Sequence, residues 1–130
     1  MASIFTKIIN NEIPSYKIHE DDNCIAFLDI NPNTIGHTLC VFKKEIDYLF
    51  DLSSKDYTVL MDFAKKIACG IKKSVDCERI GLAVVGLEVP HVHIHLIPIN
   101  SVNDMNFSNS LIMDKDCLLY TSDAADDIPG

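Results

Sequence analysis

The 130-residue chain lacks several things, and each absence removes a class of protein. It has no run of about 18 apolar residues and no positively charged, apolar-cored N-terminal segment, so neither a membrane-spanning helix nor a secretory leader is expected. Its five cysteines, Cys24, Cys40, Cys69, Cys77 and Cys117, are scattered and form no CxxC pair. That speaks against a disulfide framework and fits a reducing compartment. Positive charge is scarce: 11 Lys and Arg stand against 19 Asp and Glu, giving a net charge of −8. Such a balance disfavours a nucleic-acid backbone or an anionic membrane as partner, but leaves room for a small anionic ligand at a local site. No glycine-rich phosphate loop is present, so side chains would have to meet any bound phosphate. No internal repeat is visible. The expectation is one soluble, cytoplasmic domain, long enough to bury a real core.

What is present reads as α+β. "SIFTKIINNEIP" opens with Ile4, Phe5, Ile8 and Ile9 in a helical period that Pro14 ends. "YKIHE" and "CIAFLDI" predict two strands around the turn Asp21-Asp22-Asn23. A third strand is expected over His37–Phe42. From Ser53 to about Ser74 the spacing predicts one long helix. Tyr57, Leu60, Met61, Ala64, Ile67, Ala68 and Ile71 recur at three and four, and Ser53 with Asp56 forms a capping pair. "RIGLAVVG" and "HVHIHLIPI" supply strands four and five. The sum is a five-stranded antiparallel sheet with one long helix and a short N-terminal helix. The tail "CLLYTSDAADDIPG" has no apolar period to dock. Its opening matches the conceptual translation of a transposon adapter used in sequencing libraries. Residues 117–130 are therefore read as a non-native scar, and residues 1–116 as the domain.

In "VPHVHIHLIPIN" three histidines alternate with Val92, Ile94 and Leu96. In a strand, His91, His93 and His95 would share one face at intervals of about 6.7 Å, with the apolar residues turned the other way. A single histidine there would be a solvated strand residue; three in register need another reason. Two chemistries survive. One is metal chelation through His-x-His, with Glu88 or His37 as a further ligand. The other is nucleophilic attack by a neutral imidazole whose neighbours set its tautomer. His37, opening the third strand, could join the group. His19 is read as a surface strand residue.

"HVHIHLI" fits His-φ-His-φ-His-φ-φ, with φ apolar, and so resembles the signature of the histidine triad family. The likeness extends over Ser3 to Ile99. "SIFTKIINNEIPSYKIHEDDNCIAFLDINPNTIGHTLCVFKKEI" is similar to the N-terminal half of histidine triad nucleotide-binding proteins. The resemblance implies an α+β unit that pairs as a homodimer, joining two sheets into ten strands, and binds a purine nucleoside monophosphate. It implies hydrolysis or transfer at the α-phosphate of a purine nucleotide conjugate, with a nucleoside phosphoramidate the leading substrate class. Dinucleoside polyphosphate hydrolysis or nucleotidyl transfer are the near alternatives. By position in the motif His93 is the nucleophile, forming a nucleotidyl-histidine, and the His91 carbonyl fixes its tautomer. His95 and His37 contact the phosphate or leaving group. Asp29 accepts the ribose hydroxyls. Phe5, Ile8, Phe27 and Ile30 form the apolar slot for the base.

Two departures qualify the likeness. Ser3 and Thr6 stand where many members carry zinc-binding cysteines, so no structural zinc, no other metal and no cofactor are expected. The loop before the triad is "GLEVP", which puts Glu88 three residues before His91, where a hydroxyl or amide is usual. Glu88 would either point away or face the leaving group. A non-catalytic nucleotide-binding or scaffold protein with a vestigial triad is the reading from a different class.

Overall fold

The computed structural model describes residues 2–108, 110–111 and 118. Helix α1 spans Ile4–Ile9, followed by β1 (Lys17–Glu20), β2 (Cys24–Leu28) and β3 (Thr38–Phe42). A 3₁₀ turn at Leu49–Asp51 leads into the long helix α2 (Ser54–Ser74), then β4 (Arg79–Ala83), β5 (His93–Ile99) and a second 3₁₀ turn at Val102–Met105. The five strands form one antiparallel sheet in the order β1-β2-β3-β5-β4. The chain crosses by way of α2, and the β4–β5 hairpin returns β5 to the middle, beside β3.

Strand alternation explains the two layers. Cys24, Ala26 and Leu28 of β2, Cys40 and Phe42 of β3, and Ile94 and Leu96 of β5 face α2, packing with its Leu60, Phe63, Ala64, Ile67 and Ile71. The residues between them, Ile25, Phe27, Leu39 and Val41, face the other way and meet Phe5 and Ile8 of α1. Central strands buried on both faces therefore read as continuous apolar runs. In α2 the stripe differs slightly from the sequence pattern. Phe63 joins it, while Tyr57 is exposed because it sits on the first turn, at the stripe's margin. Ser53 caps α2 by accepting the Asp56 N–H at 3.1 Å, and Lys72 and Lys73 lie in the last turn, where the helix dipole favours them. The first hairpin turns as expected: Asp21 Oδ1 accepts the N–H groups of Asn23 and Cys24, both at 2.8 Å.

All five strands are shorter than their sequence patterns, and in β4 and β5 the physical reason is plain. β4 ends at Ala83, and Gly86, with φ of +73°, lies in the left-handed region that ends an extended run. β5 begins at His93. Pro90 has no N–H to give, and the Val92 N–H goes to Ile46 O at 2.7 Å, so His91 enters the site from a tethered loop ahead of the ladder. Among the described residues no helix is long and apolar enough to cross a membrane. The tail reading for 117–130 lies outside the described residues except at Leu118, whose side chain is buried in the α2-side core.

Candidate active site

The face of the sheet away from α2 opens into a cleft of about 640 Å³ between α1, the end of β2 and the loop before β5. Eight of the ten residues singled out in the sequence line it: Phe5, Ile8, Phe27, Asp29, Ile30, Glu88, His93 and His95. His91 and His37 lie behind the surface, 0% and 1% exposed. Four histidines do converge, but as a buried cluster and not an open ladder. The His93 and His95 rings are 5.0 Å apart and the His95 and His37 rings 5.2 Å. Phe5 stands edge-on to His93 at 4.8 Å, so α1 forms one wall of the His93 pocket. Phe107, for which the sequence offered no periodic or motif signal, stands edge-on to His95, also at 4.8 Å. Ile30 is 62% exposed, at the cleft's lip. His19 is half-buried and stacks on Phe63, 6.0 Å away, apart from the cluster.

Hydrogen bonds to backbone groups, and one between His37 and His95, assign the tautomers of the four clustered rings. His93 Nδ1 lies 2.7 Å from the His91 carbonyl oxygen. A carbonyl only accepts, so Nδ1 carries the proton and Nε2 keeps its lone pair. His91 Nε2 donates to Phe42 O at 2.6 Å, which leaves its Nδ1 to accept from Ser3 Oγ, also at 2.6 Å. The Asn33 N–H donates to His37 Nδ1 at 2.9 Å, so His37 carries its proton on Nε2 and gives it to His95 Nδ1, 3.0 Å away. His95 in turn holds its own proton on Nε2. One backbone amide and one backbone carbonyl thus make His93 Nε2 an acceptor and His95 Nε2 a donor. Gly36, just before His37, has φ of +92°, and a Cβ there would meet Val75 Cγ2 at 2.9 Å; only glycine makes this bend.

Burial favours the neutral form of His37, His93 and His95. It pushes His37 down to about 3 and His95 down to about 4, each helped by its histidine neighbour. His93 is also lowered by burial, with the hydrogen bond to His91 acting in the opposite direction. Asp29 is raised, first by burial and then by the charge of Glu88, against the Asn31 N–H that its Oδ1 accepts at 2.9 Å. Its Oδ2 lies 3.7 Å from His37 Nε2.

Asp29, His37 and His95 form a group of possible metal ligands among the described residues, with donor atoms within 4.8 Å of one another. Of the nitrogens there, His37 Nε2 and His95 Nδ1 are already engaged with each other in a hydrogen bond. At Ser3 and Thr6 the hydroxyls are neutral oxygens that donate to His91 and to Glu45. They do not fit the thiolate chemistry of a structural zinc site.

The signature of the HIT domain matches residues 10–102. The chain is 41% identical over 102 residues to an uncharacterized HIT-like protein of Borreliella burgdorferi, covering 73% of each. It is 40% identical over 98 residues to the adenosine 5'-monophosphoramidase HNT1 of Saccharomyces cerevisiae, covering 75% of this chain and 62% of that one. Its fold is similar to that of a Hit-like protein involved in cell-cycle regulation from Bartonella henselae. The TM-score is 0.83 at 32% identity, over 95% of this chain and 93% of the other.

Proposed function

This chain belongs to the HIT domain family, and from that premise we propose that it hydrolyses purine nucleotide conjugates at the α-phosphate, nucleoside phosphoramidates first among them. The observation that carries the proposal is the tautomer of His93, with Nδ1–H held by the His91 carbonyl and the Nε2 lone pair left over in a residue lining the cleft. A buried neutral imidazole is a nucleophile at neutral pH, and it needs no further base to make it one. The phosphoramidase activity named for the yeast relative supports the same substrate class.

The reaction runs in two displacements. His93 Nε2 attacks phosphorus, an N–P bond forms, and the bond from phosphorus to the leaving nitrogen breaks. That nitrogen takes one proton from solvent at the cleft mouth and departs as the amine. Water then attacks the nucleotidyl-imidazolium. Nucleoside monophosphate leaves, one proton returns to solvent, and His93 is again neutral with its proton on Nδ1. His95 Nε2–H is the donor beside the transferring phosphoryl group. His37 holds His95 in that tautomer. Asp29 Oδ2 accepts from the ribose diol, and Phe5, Ile8, Phe27 and Ile30 take the purine. Glu88 places a negative charge on the cleft wall, which favours amine leaving groups that carry positive charge. Pairing of two chains into a ten-stranded sheet belongs to the same proposal; β1 and β4 are the two edges where strands could join.

A substrate panel run in EDTA tests the reading. Nucleoside phosphoramidates should turn over faster than dinucleoside polyphosphates, and a lysyl-type leaving group faster than a neutral one. Loss of all turnover in EDTA would favour a metal enzyme instead, and nucleotide binding without any turnover would favour the non-catalytic reading. Light scattering of the purified chain reads the oligomeric state.

A further inference from the structure

Behind the cleft, at the start of α1, lies a polar cluster that takes no direct part in the reaction above. The exposed Glu45 follows β3, yet its Oε1 accepts from two groups about forty residues earlier in the chain. These are the Ser3 N–H and the Thr6 hydroxyl, the latter at 2.9 Å. Ser3 Oγ accepts the Thr6 N–H at 3.1 Å, as the N-cap of α1, and spends its own proton on His91 Nδ1 at 2.6 Å. His91 passes its Nε2 proton to Phe42 O. One consistent assignment of donors and acceptors runs from the Glu45 carboxylate to the β3 backbone.

We propose that Ser3, Thr6 and Glu45 are positioning residues that hold the nucleophile through His91. None of the three lines the cleft, whereas Ile4 and Phe5 beside them do. What they fix are two of the groups that touch His93. One is the His91 carbonyl, which holds the His93 Nδ1 proton at 2.7 Å. The other is the Phe5 ring on the first turn of α1, 4.8 Å from His93. Glu45 ties that turn to the segment after β3, and the same segment holds Val92 through Ile46 O. Glu45 acts here as a double acceptor, a role that an amide oxygen fills equally well.

The proposal rests on the functional reading for its kinetic consequence, but its structural core can be read without substrate. Long-range ¹H–¹⁵N correlation spectra report which ring nitrogen of each histidine is protonated. In the wild-type chain His93 should show a protonated Nδ1 and His91 a protonated Nε2. Ser3→Ala and Glu45→Ala should mix the two His91 tautomers and speed exchange of the His93 Nδ1 proton. Glu45→Gln should restore the wild-type pattern. In turnover, the two alanine variants should lose about tenfold in kcat, the scale of a small misplacement of a reacting group, with KM within about twofold. Glu45→Gln should recover it. Unchanged ring spectra in both alanine variants would overturn the proposal, as would a kcat loss that Glu45→Gln fails to rescue. Altered ring spectra in the alanine variants, with a wild-type chain that turns over no substrate, would uphold the network and reject the phosphoramidase reading.

Discussion

β3 and β5 show two faces to two different neighbours. Toward α2 they present Cys40, Phe42, Ile94 and Leu96, packed with the helix stripe into an apolar core. Toward α1 they present Leu39 and Val41 beside His93 and His95, against a cleft. Both faces bury ionisable groups, with opposite chemical results. On the α2 side burial pushes the Cys24 thiol up to about 12 and that of Cys40 well above its ordinary value. These sulfurs stay protonated and inert, because the thiolate is the reactive form. On the α1 side the same desolvation pushes His37, His93 and His95 down, and for an imidazole the neutral form is the reactive one. A low-dielectric sheet silences a thiol and arms a histidine. The hydrogen bonds then decide which nitrogen is armed.

The comparison breaks most completely at His93. His93→Ala and His93→Gly should each lower turnover by more than about a thousandfold, the scale for losing a nucleophile, while nucleotide binding measured by calorimetry stays within a few-fold of wild type. Ile67→Ala is the mirror experiment on the α2 face. A fully buried isoleucine cut to alanine should cost about 2–5 kcal/mol of stability in denaturant unfolding. Turnover per folded molecule should not change. If Ile67→Ala lowered kcat in the folded state, the two faces would not be separable.

Asp29 lines the cleft just past the end of β2. Asp29→Ala should weaken nucleoside monophosphate binding by about 1–3 kcal/mol, the range for hydrogen bonds to a charged group. The loss should be smaller for deoxynucleotides; equal losses would reduce Asp29 to the turn residue that its bond to the Asn31 N–H already makes it.

Stability against pH gives a graded effect, small near pH 6 and growing below it. His37 and His95 titrate at about 3 and about 4 in the folded chain, against an ordinary 6.5. Between pH 6.5 and about 3 these two histidines therefore hold more protons in the unfolded chain than in the folded one. Stability should be fully present above pH 6.5 and decline as pH falls through that window. Asp29, raised by burial, contributes with the opposite sign at its acid end. Denaturant midpoints at pH 7.5, 6 and 5 measure the slope, and a flat profile would mean that the histidines are not desolvated. The acid limb of kcat/KM should also lie below pH 6.5, since His93 is lowered too.

The sheet, the long helix and its Ser53 cap were legible because each rests on local periodicity or local capping chemistry. So were the convergence of His37 with the triad and the lining of the cleft by Phe5, Phe27 and Asp29, through the motif's resemblance. Strand ends were not legible. β5 starts late because Val92 is claimed by Ile46, a partner that no local pattern reveals. Glu45 and Asn33 were missed for different reasons. Glu45 works through residues about forty positions away, and Asn33 contributes a backbone N–H, which no side-chain pattern can announce. Glu88 was left between two orientations by the sequence; it lines the cleft, close enough to Asp29 and His93 to shift both.

The most direct test of the account is the fate of phosphorus. The wild-type chain is incubated with a nucleoside phosphoramidate labelled at its phosphorus, quenched in base during turnover, digested and mapped. The account predicts label on the peptide containing His93, as an N–P bond that survives base and is lost in acid. Turnover with no label on His93, or label held in an acid-stable bond or on another residue, would contradict it.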